Sequence, residues 1–429
     1  MPPPRLRSLD EWLRFQETLS PRAIALGLER VRAVAARLGL PTRREAGAAY
    51  TLTVAGTNGK GSSATLAAAI YRAAGYRVGL YTSPHVLRYN ERVQIDGAVV
   101  GDAELCEAFA AIDAARGEVA LTYFEFGTLA ALWLFRRARV DVQVLEVGLG
   151  GRLDAVNLID ADVALLTNVG LDHQDWLGDD REQIGGEKAG VFRSGRVAVI
   201  AEREPPASVL AAADALGART LRLGVDFDYV VLPDHNWNWR LRGETWTRLP
   251  PPALAGAVQY QNAAGVFAAV HAGLAQRPLR RDDCERGLAL LRLRGRCETY
   301  RGVLLDVAHN LESAQALAGF LAAQPPAPTV VVLGMLADKP VEAVGRLLAA
   351  TATRLLAVGL GGPRGLDAAA LQARLAAAGI RAETCENIGV ALAQARREAG
   401  AGGRVVVTGS FLTVAAALNE LERNPDAHG

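Results

Sequence analysis

The chain has 429 residues, half of them hydrophobic and 22% charged, with a formal net charge of +1. That length exceeds one ordinary core and implies two domains, while the balanced charge gives no electrostatic footing for nucleic acid or an anionic membrane. No apolar run reaches the length of a membrane span, and Met1–Leu19 lacks the unbroken apolar stretch of a signal peptide. Cys106, Cys284, Cys297 and Cys385 are scattered with no Cys-x-x-Cys pair. Buried thiols in a cytoplasmic protein are expected from that spacing, not a disulfide framework or a zinc site.

In chain order, short β-rich runs alternate with longer stretches of helical period. Strands are predicted at Tyr50–Ala55, Val78–Thr82, Val140–Glu146, Val163–Thr167 and Val197–Ala201, and helices at Ser62–Ala74, Asp102–Ala115 and Phe126–Ala138. Continuous Val/Leu runs of this kind indicate strands buried on both faces of a parallel sheet. Asp226–Pro252 changes character, with Trp237, Trp239 and Trp246 among polar residues and prolines, and reads as antiparallel hairpins appended to that sheet. Helices follow at Gln259–Leu274 and Asp282–Leu291, and the pattern then restarts with strands at Gly302–Asp306, Thr329–Gly334, Arg354–Gly359 and Arg404–Gly409. The expected architecture is α/β throughout. Residues 1–291 form a P-loop ATPase-like domain on a mostly parallel sheet, and residues 297–429 a smaller Rossmann-like domain.

Of 47 basic residues only three are lysine: Lys60, Lys188 and Lys339. A lysine that persists where nearly every other cation is arginine marks a place that needs a compact charge or a reactive amine. Lys60 lies in Gly56-Thr57-Asn58-Gly59-Lys60-Gly61-Ser62, between a predicted strand and a predicted helix. Backbone N–H groups, a helix N-terminus and a lysine at that junction form a phosphate cradle, and ATP is the expected ligand. A nucleotide Mg²⁺ needs few protein groups; Ser83, Glu146 and His173 stand at the C-terminal ends of successive predicted strands, where such ligands gather. Lys188, in Glu187-Lys188-Ala189-Gly190, could salt-bridge the nucleotide, pair with Glu187, or carry a carbamate that arginine could not. Asp306, His309 and Ser410 put polar groups at strand ends of the second domain, on an expected rim facing an interdomain cleft.

Taken together, these motifs resemble those of the bacterial dihydrofolate synthase/folylpolyglutamate synthase family, within the Mur ligases. The resemblance rests on the Gly56–Ser62 loop, Thr82-Ser83-Pro84-His85, Tyr123-Phe124-Glu125-Phe126-Gly127-Thr128, Glu146–Asp154, Leu171-Asp172-His173, Glu187–Gly190 and Asp306–Asn310. It implies an ATP-dependent amide ligase that joins L-glutamate to dihydropteroate, and to the γ-carboxylate of reduced folates, through an acyl phosphate. It further implies that Gly56, Thr57, Asn58, Gly59, Lys60, Gly61 and Ser62 hold ATP, with Asn262, Arg296 and Asp306 also contacting it. Ser83, Glu146 and His173 would ligate Mg²⁺, and carbamylated Lys188 would bridge a second ion. Thr122, Tyr123, Phe124 and Glu125, with Leu153, Asp154 and Ala155, would receive the pterin; His309 and Ser410 would face glutamate. A monomer acting only on small molecules is expected. One departure stands out: a Thr-Ile-Asp stretch of bifunctional relatives is here Ala23-Ile24-Ala25. A monofunctional folylpolyglutamate synthase, or another Mur-type ligase, is therefore the alternative, and a nucleotide-driven switch without ligation is the reading from another class.

Overall fold

The computed structural model describes residues 8–20, 24–42, 48–273 and 279–424. Contacts divide the chain into two units. One runs through His85, Tyr89–Ala253 and Tyr260–Leu291; the other takes Val86–Arg88, Leu254–Gln259 and the chain from Arg292 onward.

The first unit is built on an eight-stranded sheet. Its strands are β1 (Tyr50–Ala55), β2 (Val78–Tyr81), β3 (Val93–Ile95), β4 (Ala98–Val99), β5 (Val142–Glu146), β6 (Val163–Leu166), β7 (Val197–Ile200) and β8 (Arg219–Arg222). They lie in the order β4-β3-β2-β5-β1-β6-β7-β8. The pairs from β2 through β8 are parallel, while β3 and β4 run antiparallel at one edge. Every residue of β1, β2, β5, β6 and β7 is buried, which explains their near-continuous apolar sequences. Strand β1 is central, and the chain leaves it to form β2 beyond β5 and later returns to β6 on its other side. Its C-terminal end is thus a topological switch point, the usual ligand position in such sheets. The loop Gly56–Gly59 occupies it, opening the helix Lys60–Ala73.

Asp226–Pro252 does not extend this sheet. It makes a separate antiparallel sheet of β9 (Phe227–Val231), β10 (Trp237–Leu241) and β11 (Glu244–Leu249). Trp237 and Trp239 are fully buried and stack near Phe267, on the helix Val258–His271. The tryptophans face inward to clamp that helix. The final residue of the helix predicted at Gln259–Leu274 lies outside the described residues.

The second unit carries β12 (Glu298–Tyr300), β13 (Val303–Leu305), β14 (Thr329–Leu333), β15 (Arg354–Val358), β16 (Glu383–Cys385) and β17 (Arg404–Thr408). Their order is β12-β13-β17-β14-β15-β16, parallel except for the β12–β13 hairpin. Alternate residues feed two separate cores: Val330 and Val332 join Leu392 and Leu418 on one face, Val331 and Leu333 join Leu317 and Leu375 on the other. Helices on both faces make it doubly wound. Cys284 and Cys385 are buried, but Cys106 and Cys297 are only half-buried, against the expectation for all four thiols. No described helix is long and apolar enough to cross a membrane.

Candidate active site

The phosphate-loop sequence is held from two sides. Asn168, just past β6, accepts from the backbone N–H groups of Asn58 (2.8 Å) and Thr57 (3.2 Å) through Oδ1. Thr167 donates to the Asn58 carbonyl at 2.7 Å, and a methyl group at Gly56 would lie 1.8 Å from Thr167 Oγ1. Gly59 has φ +82°, and a methyl group there would stand 2.5 Å from Asn262 Oδ1. Glycine is required at both places by space and by a positive φ, +146° at Gly56 and +82° at Gly59. Thr167 and Asn168 are site-supporting residues that motif reading missed. Lys60 Nζ donates to the carbonyls of Gly56 and Thr57, both at 3.0 Å, so the amine is held over its own loop. Ser62 Oγ is buried and has no hydrogen-bond partner.

Glu146, the buried last residue of β5, lies against that loop: a methyl group at Gly61 would be 3.5 Å from its carboxylate oxygens. Its Oε2 accepts from the Ser83 N–H at 2.9 Å, which ties the end of β2 to the end of β5. His173 stands half-exposed at the head of the short helix Gln174–Leu177, its Nε2 3.9 Å from Asp172. Among the described residues no three His, Cys, Asp or Glu side chains cluster as a metal cage. Ser62, Ser83 and Glu146 offer oxygens of the kind Mg²⁺ takes, an ion that keeps most of its waters and needs few protein groups.

Lys188 is buried, and its Nζ donates to the Gly56 carbonyl at 3.0 Å, so this lysine touches the phosphate loop itself. Burial lowers its pKa to about 7, with the nearby charge of Lys60 acting the same way and Asp172 and Asp154 opposing. Glu187 pairs with Arg152 at 2.7 Å, so it is taken by another partner. Asp154 is buried too, and burial raises its carboxyl to about 7 against hydrogen bonds from Leu149 (2.8 Å) and Val156 (2.9 Å).

The Phe124 ring packs over Gly148, where a methyl group would sit 2.5 Å from it, and lies 5.9 Å from the Tyr81 ring. Phe124 is thereby brought against the loop that follows β5, the loop that ends in Leu153–Asp154. Glu125 also holds local structure together. Its carboxylate closes a capping box with Thr122, accepting from the Thr122 N–H at 2.8 Å, and pairs with Arg30 at 3.0 Å. Arg30 also donates to the Ala25 carbonyl at 2.6 Å. Glu125 therefore orders the segment around Ala25 and the start of its own helix. Ala23 lies outside the described residues.

In the second unit, Asp306 lies half-buried just past β13 and accepts from the N–H groups of Cys297 and Ala308, both at 2.9 Å. Burial raises its pKa, with Arg296 opposing. His309 Nδ1 lies 2.9 Å from the Val307 carbonyl, which fixes the proton on that nitrogen. Ser410 caps the helix Phe411–Arg423, accepting from the Thr413 N–H at 3.0 Å, and Thr413 in turn donates to the Gly334 carbonyl at 2.7 Å. Arg296 lies over the Phe411 ring at 5.3 Å. Lys339 is buried, not on a solvated face.

The Mur ligase middle domain matches residues 54–229, and the Mur ligase glutamate ligase domain matches residues 293–411. The chain is 42% identical over 418 residues to the dihydrofolate synthase/folylpolyglutamate synthase of Escherichia coli, covering 96% of each. This chain belongs to the dihydrofolate synthase/folylpolyglutamate synthase family of ATP-dependent Mur ligases. A solved structure of E. coli FolC in complex with DHPP and ADP superposes with a TM-score of 0.92 at 40% identity, covering 99% of this chain and 100% of that one. The bifunctional enzyme from Yersinia pestis, complexed with AMPPNP and Mn ion, gives 0.90 at 42%, covering 98% and 100%. The expected family and fold class therefore hold for nearly the whole chain.

Proposed function

We propose that this chain carries out both ligations of its family, joining L-glutamate to dihydropteroate and to the γ-carboxylate of folylglutamates. The observation that carries the reading is the contact of Lys188 with Gly56, which puts a buried, easily neutralised amine against the phosphate loop. A neutral amine can add to CO₂, forming an N–C bond and releasing a proton, to leave a carbamate. Lysine does this and arginine does not, which explains why lysine survives at this position in an arginine-rich chain.

In the first step an oxygen of the acceptor carboxylate attacks the γ-phosphorus of ATP, ADP leaves, and an acyl phosphate forms. The glutamate amine then adds to the acyl carbon, loses its proton, and expels phosphate as the amide closes. The N–H groups at the start of the Lys60–Ala73 helix and the Lys60 amine offset charge on the transferring phosphoryl group. Mg²⁺, when held by Glu146, the Ser83 and Ser62 hydroxyls and His173, supplies further charge neutralisation at the phosphates. The rings of Tyr123 and Phe124 and the turn Leu153–Ala155 orient the acceptor, so that its carboxylate approaches in line. His309 and Ser410, with Asp306 fixing the local backbone, are the groups that meet L-glutamate. The enzyme works on small molecules as a cytoplasmic monomer.

The deciding experiment is mass spectrometry of products made with Mg-ATP and L-glutamate from dihydropteroate in one reaction and tetrahydrofolate in another. One or more added glutamates in both is expected. Product from tetrahydrofolate alone would show that Ala23 and Ala25 have removed the first activity and that the chain is a monofunctional folylpolyglutamate synthase. No product in either would overturn the folate assignment.

A further inference from the structure

The turn proposed to receive the acceptor and the helix end that carries Lys188 are far apart in sequence, yet one buried side chain joins them. Asn157 sits in the short 3-10 helix Ala155–Leu158, directly after the acceptor-contacting residues. Its Nδ2 donates to the Arg152 carbonyl and to the Gly190 carbonyl, both at 3.0 Å. Its Oδ1 accepts from Arg193 Nη2 at 2.8 Å. Arg193 also donates to the Gly190 and Phe192 carbonyls, at 3.2 and 3.0 Å, and to the Asn157 carbonyl at 3.2 Å, while Asp160 pairs with it from the far end of the turn. Around this pair the two backbones interlock. The Arg152 N–H donates to the Glu187 carbonyl at 2.8 Å. A methyl group on Gly151 would lie 2.7 Å from the Lys188 carbonyl, and one on Gly190 would lie 2.3 Å from Arg152 Cβ.

We propose that Asn157 and Arg193 are positioning residues that couple the acceptor turn Leu153–Ala155 to Lys188, so that filling the acceptor site fixes the Lys188 end of its helix against the phosphate loop. The Arg152 and Gly190 carbonyls lie on two segments far apart in sequence and share the Asn157 amide as donor. A single amide that donates to both converts a shift of the turn into a shift of the helix end. From there the Lys188 contact with Gly56 reaches the loop that holds ATP. The ligase gains a physical reason to withhold phosphoryl transfer until an acceptor is in place, since ATP cleaved with an empty acceptor turn is lost to water. The proposal rests on the reading of Leu153–Ala155 as acceptor-contacting.

Hydrogen–deuterium exchange of the whole protein tests it, with dihydropteroate and tetrahydrofolate as probes. In the wild type, acceptor is expected to slow exchange both at 148–156 and at 184–191, the latter by about tenfold, the size of an ordinary coupling. In Asn157→Ser and in Arg193→Lys, protection at 148–156 persists and protection at 184–191 is lost. In both variants kcat for ligation falls by about a hundredfold, as expected for a displaced reacting group, with KM for ATP unchanged. Arg193→Lys keeps the charge and serves if Asn157→Ser does not fold. If acceptor protects neither segment in the wild type, the acceptor-site reading fails. Protection of 148–156 alone in the wild type, or unchanged protection of 184–191 in both variants, overturns the coupling.

Discussion

Keeping the unmodified Lys188 amine away from water costs the fold stability whenever that amine is protonated, and this sets two expectations for Lys188→Met, the stability one read in CO₂-free buffer where no carbamate forms. Ligation should fall by about a hundred- to thousandfold, the usual loss when one charge-stabilising group is removed. The folded protein should nonetheless become more stable, because methionine fills the same volume without a charge. The pH dependence has a definite sign. Burial lowers the lysine from its ordinary 10.5 to about 7. Below pH 7 both folded and unfolded chains hold the proton, and the folded one bears the whole cost. Between 7 and 10.5 the unfolded chain keeps a proton that the folded one has released, so the wild type gains stability as pH rises. Above 10.5 both are neutral and the cost is gone. The excess melting temperature of Lys188→Met over wild type should therefore be greatest below pH 7 and shrink steadily towards pH 10.5. A constant difference across that range would contradict a buried titrating amine. Lys188 was legible in the sequence because so few lysines survive there. The ion pair of Glu125 with Arg30 was not legible, since Arg30 lies 95 residues away and local spacing gives no hint of so distant a partner. Thr167 and Asn168 were missed because ordinary threonine and asparagine past a strand end carry no pattern.

At the level of elements, the inner parallel strands were legible because double-sided burial leaves unbroken Val/Leu runs, and the partly exposed edge strands β8 and β16 and the edge hairpin were not. Strands β3 and β4 are three and two residues long, too short for any alternation to register. Their turn did leave a signal: Asp96 and Gly97 both have positive φ (52° and 76°), the geometry for which Asp-Gly is chosen in tight hairpins. The helix predicted from Phe126 starts earlier, at Tyr123, because Thr122 and Glu125 form a capping box whose T-x-x-E spacing is itself a start signal. Thr122→Ala should cost about 1 kcal/mol of stability, seen as a lower denaturant midpoint, and should raise KM for the acceptor by loosening the Tyr123–Phe124 turn. Gly59→Ala is the sharper test of the phosphate loop. The left-handed backbone costs alanine about 1 kcal/mol or more, and the new methyl meets Asn262, so the loop must shift. KM for ATP should rise about tenfold or more, with the acceptor KM little changed; equal ATP affinity would mean that this loop does not bind the phosphates.

The composition of the whole molecule offers a test that no single motif does. Among 47 cations only three carry an amine, and two of these, Lys188 and Lys339, are buried, while Lys60 is partly exposed. Guanidinium groups do not react with an acylating reagent such as an N-hydroxysuccinimide ester under mild conditions, so the arginine-rich surface is silent towards it. Apart from the chain's own terminal amine, the folded protein should then be modified at Lys60 alone, although Lys60 is engaged by the carbonyls of Gly56 and Thr57. Peptide mass spectrometry would locate the modification and follow its rate. Acylation should remove the charge that faces the phosphates and abolish ligation in proportion to its extent. Mg-ATP should slow it by occupying the loop, and L-glutamate alone should not. Modification of Lys188 or Lys339 at a comparable rate would contradict their burial. Protection by the acceptor but not by ATP would move Lys60 from the nucleotide to the acceptor and overturn the site as built here. An ordinary lysine-rich surface would bury this signal under dozens of irrelevant adducts; here, replacement of lysine by arginine leaves the phosphate-loop amine chemically addressable.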